Sequence, residues 1–151
     1  MKVAITKLVL PSILLATSIF AAGIPAGGFA GTWAANFQKS VFPGAPPKID
    51  MCTIDADGKV TVNETNAEGK SSTWYYTPIE GQPVHVTGRE NTTVTVRKVN
   101  SHTMEHVWDR NGRPAKSTSV LSKDGKTTVF TIDGTDKEGK PFHEMVVYDK
   151  Q

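Results

Sequence analysis

From residue 48 to the end of the chain, apolar and polar residues alternate with a period of two, not the 3.6 of a helix. The alternation is clearest at 59–63, 72–76 and 93–97, which are rich in Thr, Val and aromatic residues. These residue types suit a half-buried pleated surface. The pattern predicts about ten strands and no long amphipathic helix. We expect the strands near 31–36, 48–55, 59–64, 70–77, 83–87, 92–99, 103–110, 113–122, 126–133 and 142–149.

Five segments between the predicted strands repeat one arrangement. An Asp, Asn or Ser opens each segment, a Gly follows three residues later, and a basic residue comes next. The Gly supplies the positive φ that tight hairpin turns need. The segments begin at Asp55, Asn66, Asp109, Ser122 and Asp136. Consecutive hairpins build an up-and-down sheet, and closure removes its exposed edges. We therefore predict an all-β fold, a single up-and-down antiparallel β-barrel of eight to ten strands.

The first 23 residues follow a different pattern. Lys2 and Lys7 precede an uncharged apolar run, and the small residues Ala21 and Gly23 match a cleavage site, with a second candidate at Ala30. The run of about 13 apolar residues is shorter than the ~20 that span a bilayer. These features predict a secretory signal peptide and a secreted or periplasmic protein. The predicted organisation is a signal at 1–23, a short segment at 24–30 and a barrel domain at 31–151.

Charge and cysteine content narrow the possible partners. Without Lys2 and Lys7 the chain keeps 15 of its 17 basic residues, which equals its 15 acidic residues. The basic residues form no stripe, so we expect no nucleic-acid partner. The single cysteine, Cys52, excludes an intramolecular disulfide. We interpret Cys52 as a small buried hydrophobe, and a reactive thiol or a dimer disulfide is the alternative.

Two late strands are apolar on both faces, which is unusual for an antiparallel strand with one wet face. Either the outside of these strands is covered, with 24–30 as the candidate cover, or they form a self-association surface. The second alternative predicts a homodimer through the late strands. The apolar outer face that mediates this association would contain Phe130, Ile132, Met145 and Val147.

Gly31-Thr32-Trp33, at the start of an exported all-β chain, resembles the opening of the calycin group, which includes lipocalins, fatty-acid-binding proteins and avidins. In lipocalins a Gly-x-Trp opens the first strand, and its Trp closes the barrel floor. The resemblance implies a barrel-closing structural role for Gly31 and Trp33. It implies nothing about the ligand.

The chain also resembles a group of small exported bacterial proteins of unknown function. The resemblance rests on N-x-x-K-S-x-F from Asn36 to Phe42, followed by Pro-Gly-x-Pro, and on the terminal V-Y-D-K-Q from Val147 to Gln151. It covers nearly the whole chain after the predicted signal. It implies a lipocalin-like barrel in a bacterial envelope and no established activity.

Motifs for metal binding and catalysis lack their required context. His102-Thr103-Met104-Glu105-His106 has the letters of an inverted zinc-protease motif. On a strand, at ~3.3 Å per residue, its two histidines would lie about 13 Å apart and could not share a zinc ion. Gly58 comes too early in Asp55-x-Asp57-Gly58 for a calcium loop. Because no nucleophile elbow is present either, we expect a protein that is not an enzyme, with no metal and no cofactor.

The aromatic residues supply the candidate binding site. We predict that one inward face carries His106 together with Trp33, Trp74, Tyr76, Trp108, Phe142 and Tyr148. This face would form either a filled core or a small cavity. The first functional hypothesis is a non-enzymatic exported barrel that binds a small, partly apolar molecule through Trp74, Tyr76, His106 and Trp108. The alternative is a structural or protein-interaction module of the cell envelope with a filled barrel, and a cavity lined by these aromatics would favour the first.

Overall fold

The computed structural model describes residues 23–151, so nearly all of the predicted signal peptide lies outside the described residues. Within this part the chain forms one short 3-10 turn at Gly27–Phe29 and ten strands. None of its helices is long and apolar enough to cross a membrane. The strands are β1 Gly31–Ala35, β2 Ile49–Ile54, β3 Val60–Thr65, β4 Ser71–Tyr76, β5 Pro83–His85, β6 Thr92–Asn100, β7 Thr103–Arg110, β8 Pro114–Leu121, β9 Thr127–Thr135 and β10 Pro141–Lys150.

All strand pairs are antiparallel, and the sheet order is β4-β3-β2-β1-β10-β9-β8-β7-β6-β5. Every pair of neighbouring strands in this order is therefore consecutive in the sequence, except β1 and β10. The two ends of the sheet meet at a seam, where Tyr75 and Thr87 exchange backbone hydrogen bonds of 3.0 and 2.9 Å. The predicted up-and-down antiparallel barrel is therefore confirmed.

The repeated turn residues act as the sequence predicted. In the turn that joins β3 to β4, the Asn66 N–H donates to the Lys70 carbonyl, and the Gly69 N–H donates to the Asn66 carbonyl, both at 3.0 Å. Gly69 has a φ of +91°, a conformation that costs a side chain more than it costs glycine. The turn between β7 and β8 instead places Asn111 and Gly112 at φ of +58° and +77°, as a two-residue type I′ hairpin requires.

The segment 24–30 fills one end of the barrel instead of covering its outside. Ile24, Ala26 and Phe29 are buried, and the side chains of all three line the interior. The Ile24 N–H donates to the Pro78 carbonyl at 3.0 Å, and the Ala26 N–H donates to the Ala56 carbonyl at 3.2 Å. The prediction of an outer cover from this segment was wrong, because its apolar side chains find more buried surface inside the barrel. We call 24–29 the plug.

The outer face of the late strands also differs from the prediction. Phe130 and Ile132 line the interior, while Met145 and Val147 alternate with inward residues on β10. Val147 is only 8% exposed, since the connector after β1 runs beside β10 and Ser40 Oγ accepts the Val147 N–H at 2.9 Å. The predicted four-residue apolar outer face is therefore wrong for Phe130 and Ile132. Dimerisation through these strands stays a prediction.

Candidate ligand-binding cavity

The barrel encloses a cavity of about 330 Å³. This volume lies at the lower end of the range for small-molecule sites, roughly 300–1,000 Å³. Its wall is mainly apolar, with aliphatic, sulfur-containing and aromatic side chains from most strands and from the plug. These include Phe29, Trp33, Ile54, Val60, Val62, Val96, Met104, Phe130, Ile132 and Phe142. The barrel is therefore not filled, unlike the barrel of the alternative hypothesis.

All four predicted ligand contacts line this cavity, and they pack into one aromatic cluster. The rings of Trp74 and Tyr76 are stacked with centroids 6.3 Å apart. Trp108 meets both rings edge-on, at 6.2 and 5.8 Å. His106 lies beside Trp108 at 6.2 Å. The structure therefore brings the four predicted side chains together, and their contact with a ligand stays a prediction.

Trp33 and Gly31 lie at the plugged end. The Trp33 indole N–H donates to the Phe29 carbonyl at 2.9 Å, and the Trp33 side chain is 2% exposed. Gly31 has a φ of +136°, and a Cβ there would come within 2.7 Å of the Lys150 side chain. Lys150 in turn places its ammonium 5.1 Å from the Trp33 ring. Trp33 and the plug together occupy this end of the barrel.

Five buried side-chain atoms among residues 23–151 lack a hydrogen-bond partner, and all belong to residues that line the cavity. They are Asp50 Oδ1, Trp74 Nε1, His106 Nδ1, Arg110 Nε and Thr128 Oγ1. Buried polar atoms in native proteins are nearly always bonded to protein or water. The cavity wall therefore offers five polar atoms that water or a bound molecule can contact.

His106 is a deeply buried ionisable group of this wall. Burial lowers its pKa to about 4, so its imidazole is neutral at pH 7. A neutral imidazole has one donor and one acceptor nitrogen. His106 can thus offer a hydrogen bond to a ligand without adding a charge to the apolar region.

The end opposite the plug carries charged side chains, and we call it the mouth. On β2, Ile54 lies toward the plug and Asp50 toward the mouth. Asp50 pairs directly with Glu64 of β3, and both line the cavity. Arg110 at the end of β7 and Glu144 near the start of β10 line the same end. The interior is therefore apolar at one end and ionic at the other.

Few of these charges pair with one another. Arg89 forms an ion pair with Glu64 at 2.8 Å, and its guanidinium lies 4.7 Å from the Trp74 ring centroid. Arg110 donates to the Thr135 carbonyl at 3.1 Å instead of to a carboxylate. Among residues 23–151, the guanidinium of Arg110 therefore has no anionic partner.

Burial and the repulsion of like charges shift the pKa values of the charged groups at the mouth. Burial raises the pKa of Asp50, whose Oδ2 accepts the Tyr148 hydroxyl at 2.7 Å. Burial, followed by the charges of Asp50 and Glu64, raises the pKa of Glu144. Burial lowers the pKa of Arg110, and the nearby charges of Arg113 and Arg89 lower it further.

The sequence prediction missed these charged residues, although a signal for most of them exists. Asp50 is two and four positions before Cys52 and Ile54, and Glu64 is two and four positions after Val62 and Val60, so each pair of spacings is even. In a strand, residues an even number of positions apart share a face. The same two-residue spacing places Arg110 on the face of Trp108 and Glu144 on the face of Phe142. Arg89 lies in a loop, where no such periodicity applies.

The two histidines of the zinc-like motif are not brought together. His106 lies inside the barrel, whereas His102 lies in the turn before β7 and its Nδ1 is 2.9 Å from Ser101 Oγ. Across residues 23–151 no group of three His, Cys, Asp or Glu side chains is placed to hold a metal ion.

No protein-family model matches the sequence, and no curated protein matches it. The fold is similar to that of solved β-barrels. The fluorescent protein UnaG matches with a TM-score of 0.55 and 15% identity, over 83% of this chain and 99% of UnaG. A Schistosoma mansoni fatty-acid-binding protein in complex with arachidonic acid matches with a TM-score of 0.56 and 15% identity, over 85% of this chain and 99% of that one. At this identity the likeness shows the β-barrel fold alone.

Proposed function

We propose that this protein is an exported, non-enzymatic barrel that binds a small, partly apolar molecule inside its cavity. The observation that carries the proposal is the cavity of about 330 Å³, whose wall holds all five unpartnered buried polar atoms of the described residues. An apolar wall with a few convergent polar groups is the usual form of a small-molecule site. The fatty-acid-binding protein of similar fold, solved with arachidonic acid, supports the same use of the barrel.

The aromatic cluster supplies the main contacts of the proposed site. Trp74, Tyr76 and Trp108 present large faces and edges to the interior, and such aromatic contacts contribute ≈ 0.5–1.5 kcal/mol each beyond area burial. His106 adds a neutral hydrogen-bonding group within the cluster. The ligand is therefore expected to be largely apolar, with at least one polar atom along its body.

Binding can be tested with N-phenyl-1-naphthylamine, an uncharged dye that fluoresces in apolar surroundings. We expect saturable binding by the protein, which Ser119→Trp weakens because Ser119 lines the cavity. Val120→Trp is the matched control, since Val120 is the next residue and is 45% exposed. Failure of the dye to bind the parent protein, or equal binding by Ser119→Trp, would contradict the proposal.

Export is proposed from the sequence pattern of the first 23 residues. Fractionation of a bacterial host that expresses the full chain, followed by N-terminal sequencing, tests it. We expect a periplasmic or secreted product that begins at Ile24. A product that keeps Met1 in the cytoplasm would contradict export and would leave the cavity proposal untouched.

A further inference from the structure

The mouth of the barrel has two walls of opposite charge. The acidic wall is formed by Asp50, Glu64 and Glu144, from β2, β3 and β10. The basic wall is formed by Arg89 and Arg110, and it continues outward into a second cavity of about 370 Å³. Arg113 and Lys137 add two more cations to that outer cavity, and Glu90 adds one carboxylate. Arg89 and Arg110 line both cavities, so the two spaces are adjacent.

The two walls do not neutralise each other. Glu64–Arg89 is the one ion pair between them within residues 23–151. Asp50 is bonded to a tyrosine hydroxyl and Arg110 to a backbone carbonyl, and each keeps a buried polar atom without a partner. Apart from that ion pair, none joins the two walls within residues 23–151, so Asp50, Glu144 and Arg110 keep their charges available to a group at the mouth.

Like charges are crowded within each wall. Asp50 and Glu64 are direct cross-strand neighbours, an arrangement that is unfavourable for two carboxylates. Arg113 lies close enough to Arg110 to disfavour its charged form. A cation at the acidic wall and an anion at the basic wall would relieve both repulsions.

The interior below the mouth supplies an independent sign of a ligand. His106 is 6% exposed, lines the cavity and has an unpartnered Nδ1. An apolar body that carries the two charged groups would therefore extend from the mouth into the aromatic cluster.

We propose that the ligand is an amphipathic zwitterion, whose apolar body lies among the aromatic residues, whose ammonium faces Asp50 and Glu144, and whose anionic group faces Arg110 and Arg113. This inference rests on the proposed binding function and adds the chemical class of the ligand. A purely anionic or purely cationic ligand satisfies one wall and leaves the other wall crowded. A hydrocarbon chain satisfies neither wall, and it would bury the charges of the mouth without compensation.

Three dyes with one fluorophore and one chain length separate these cases. Nε-dansyl-lysine is the zwitterion, dansylcadaverine lacks its carboxylate, and 6-(dansylamino)hexanoic acid lacks its ammonium. N-pentyl dansylamide, which has neither charge, is the fourth probe. We expect the zwitterion to bind about tenfold more tightly than either singly charged dye, because each of these dyes lacks one charge-assisted contact.

Two variants assign the charges to the walls. Asp50→Asn should weaken the zwitterion and the cation about tenfold and spare the anion, by loss of one charge-assisted contact. Arg113→Gln should weaken the zwitterion and the anion and spare the cation. Glu105→Gln and Arg97→Gln are the matched controls, because these exposed residues alternate with inward ones on β7 and β6. Circular dichroism and thermal melting of each variant verify that the barrel is intact.

The outcomes distinguish this inference from the binding proposal. Equal binding of all four dyes, or tightest binding of a singly charged or uncharged dye, overturns the zwitterion and leaves the cavity site standing. An unchanged charge preference in both Asp50→Asn and Arg113→Gln also overturns it. If none of the four dyes binds and N-phenyl-1-naphthylamine fails too, the binding function and the zwitterion fall together.

Discussion

His106 shows how one buried residue links the cavity to stability. The unfolded chain returns this imidazole to water, where its pKa is near the ordinary 6.5, whereas burial holds it at about 4 in the folded barrel. Below pH 6.5 the unfolded state therefore binds a proton that the folded state does not. The free energy of unfolding must fall as the pH drops from 6.5 toward 4.

His106→Phe removes this proton uptake while it keeps a ring in the cluster. We expect the parent protein to lose about 2 kcal/mol relative to the variant between pH 7 and pH 5, from ~1.4 kcal/mol per pKa unit. Urea denaturation at both pH values measures the difference. The raised pKa values of Asp50 and Glu144 act in the opposite direction, but they are common to both proteins. A constant difference between the two proteins at pH 7 and pH 5 would contradict the buried neutral state of His106.

At the scale of elements, the strands and turns followed from the sequence because each is encoded locally. The Gly at the end of each turn and the period-two alternation are visible within a few residues. The position of the plug is not encoded in this way. Ile24, Ala26 and Phe29 carry no strand or helix periodicity, and only the closed barrel creates the surface that buries them. The direction of the Phe130 side chain is not encoded locally either, because its apolar neighbours put apolar residues on both faces of β9 and only the closed barrel decides which face is inside.

Gly58 joins the plug to a hairpin turn, and its substitution tests that contact. A Cβ on Gly58 would collide with the Ile24 carbonyl oxygen, whereas at Gly69 the nearest atom is Lys48 Nζ at 3.5 Å. Both glycines have a φ of +91°, so Ala at either site costs about 1–2 kcal/mol of backbone strain. We expect Gly58→Ala to lower the free energy of unfolding by clearly more than Gly69→Ala, because it also displaces the plug. Equal losses in chemical denaturation would show that the plug contributes nothing to stability.

At the scale of the whole molecule, the backbone pairing between neighbouring strands is uneven around the barrel. β9 and β10 pair along their whole length, from Thr135–Pro141 to Thr127–Asp149. The seam between β4 and the segment after β5 rests on the backbone bonds of Tyr75 and Thr87. Arg89 spans this seam from the loop to Glu64 and Trp74. The seam is therefore where the barrel is expected to open first.

Hydrogen exchange measured by NMR can locate this opening. We expect the amides of Tyr75 and Thr87 to exchange faster than those of the β9–β10 ladder. Arg89→Gln should speed exchange at the seam about threefold further, since a partly exposed ion pair contributes about 0.2–1 kcal/mol. Arg97→Gln removes the same charge from the outer face of β6 and should leave the seam unchanged. Uniform protection around the barrel, in the parent and in Arg89→Gln, would contradict a weak seam.

The plug also determines which end of the barrel lies next to a support when the protein is attached through its N-terminus. The chain enters the plug beside Asp57 and Thr77, at the end away from Arg110 and Glu144. Any tag or tether joined ahead of Gly23 leaves from this closed end. A protein immobilised in this way would point its charged mouth outward into solution, so that ligand exchange does not require passage along the support.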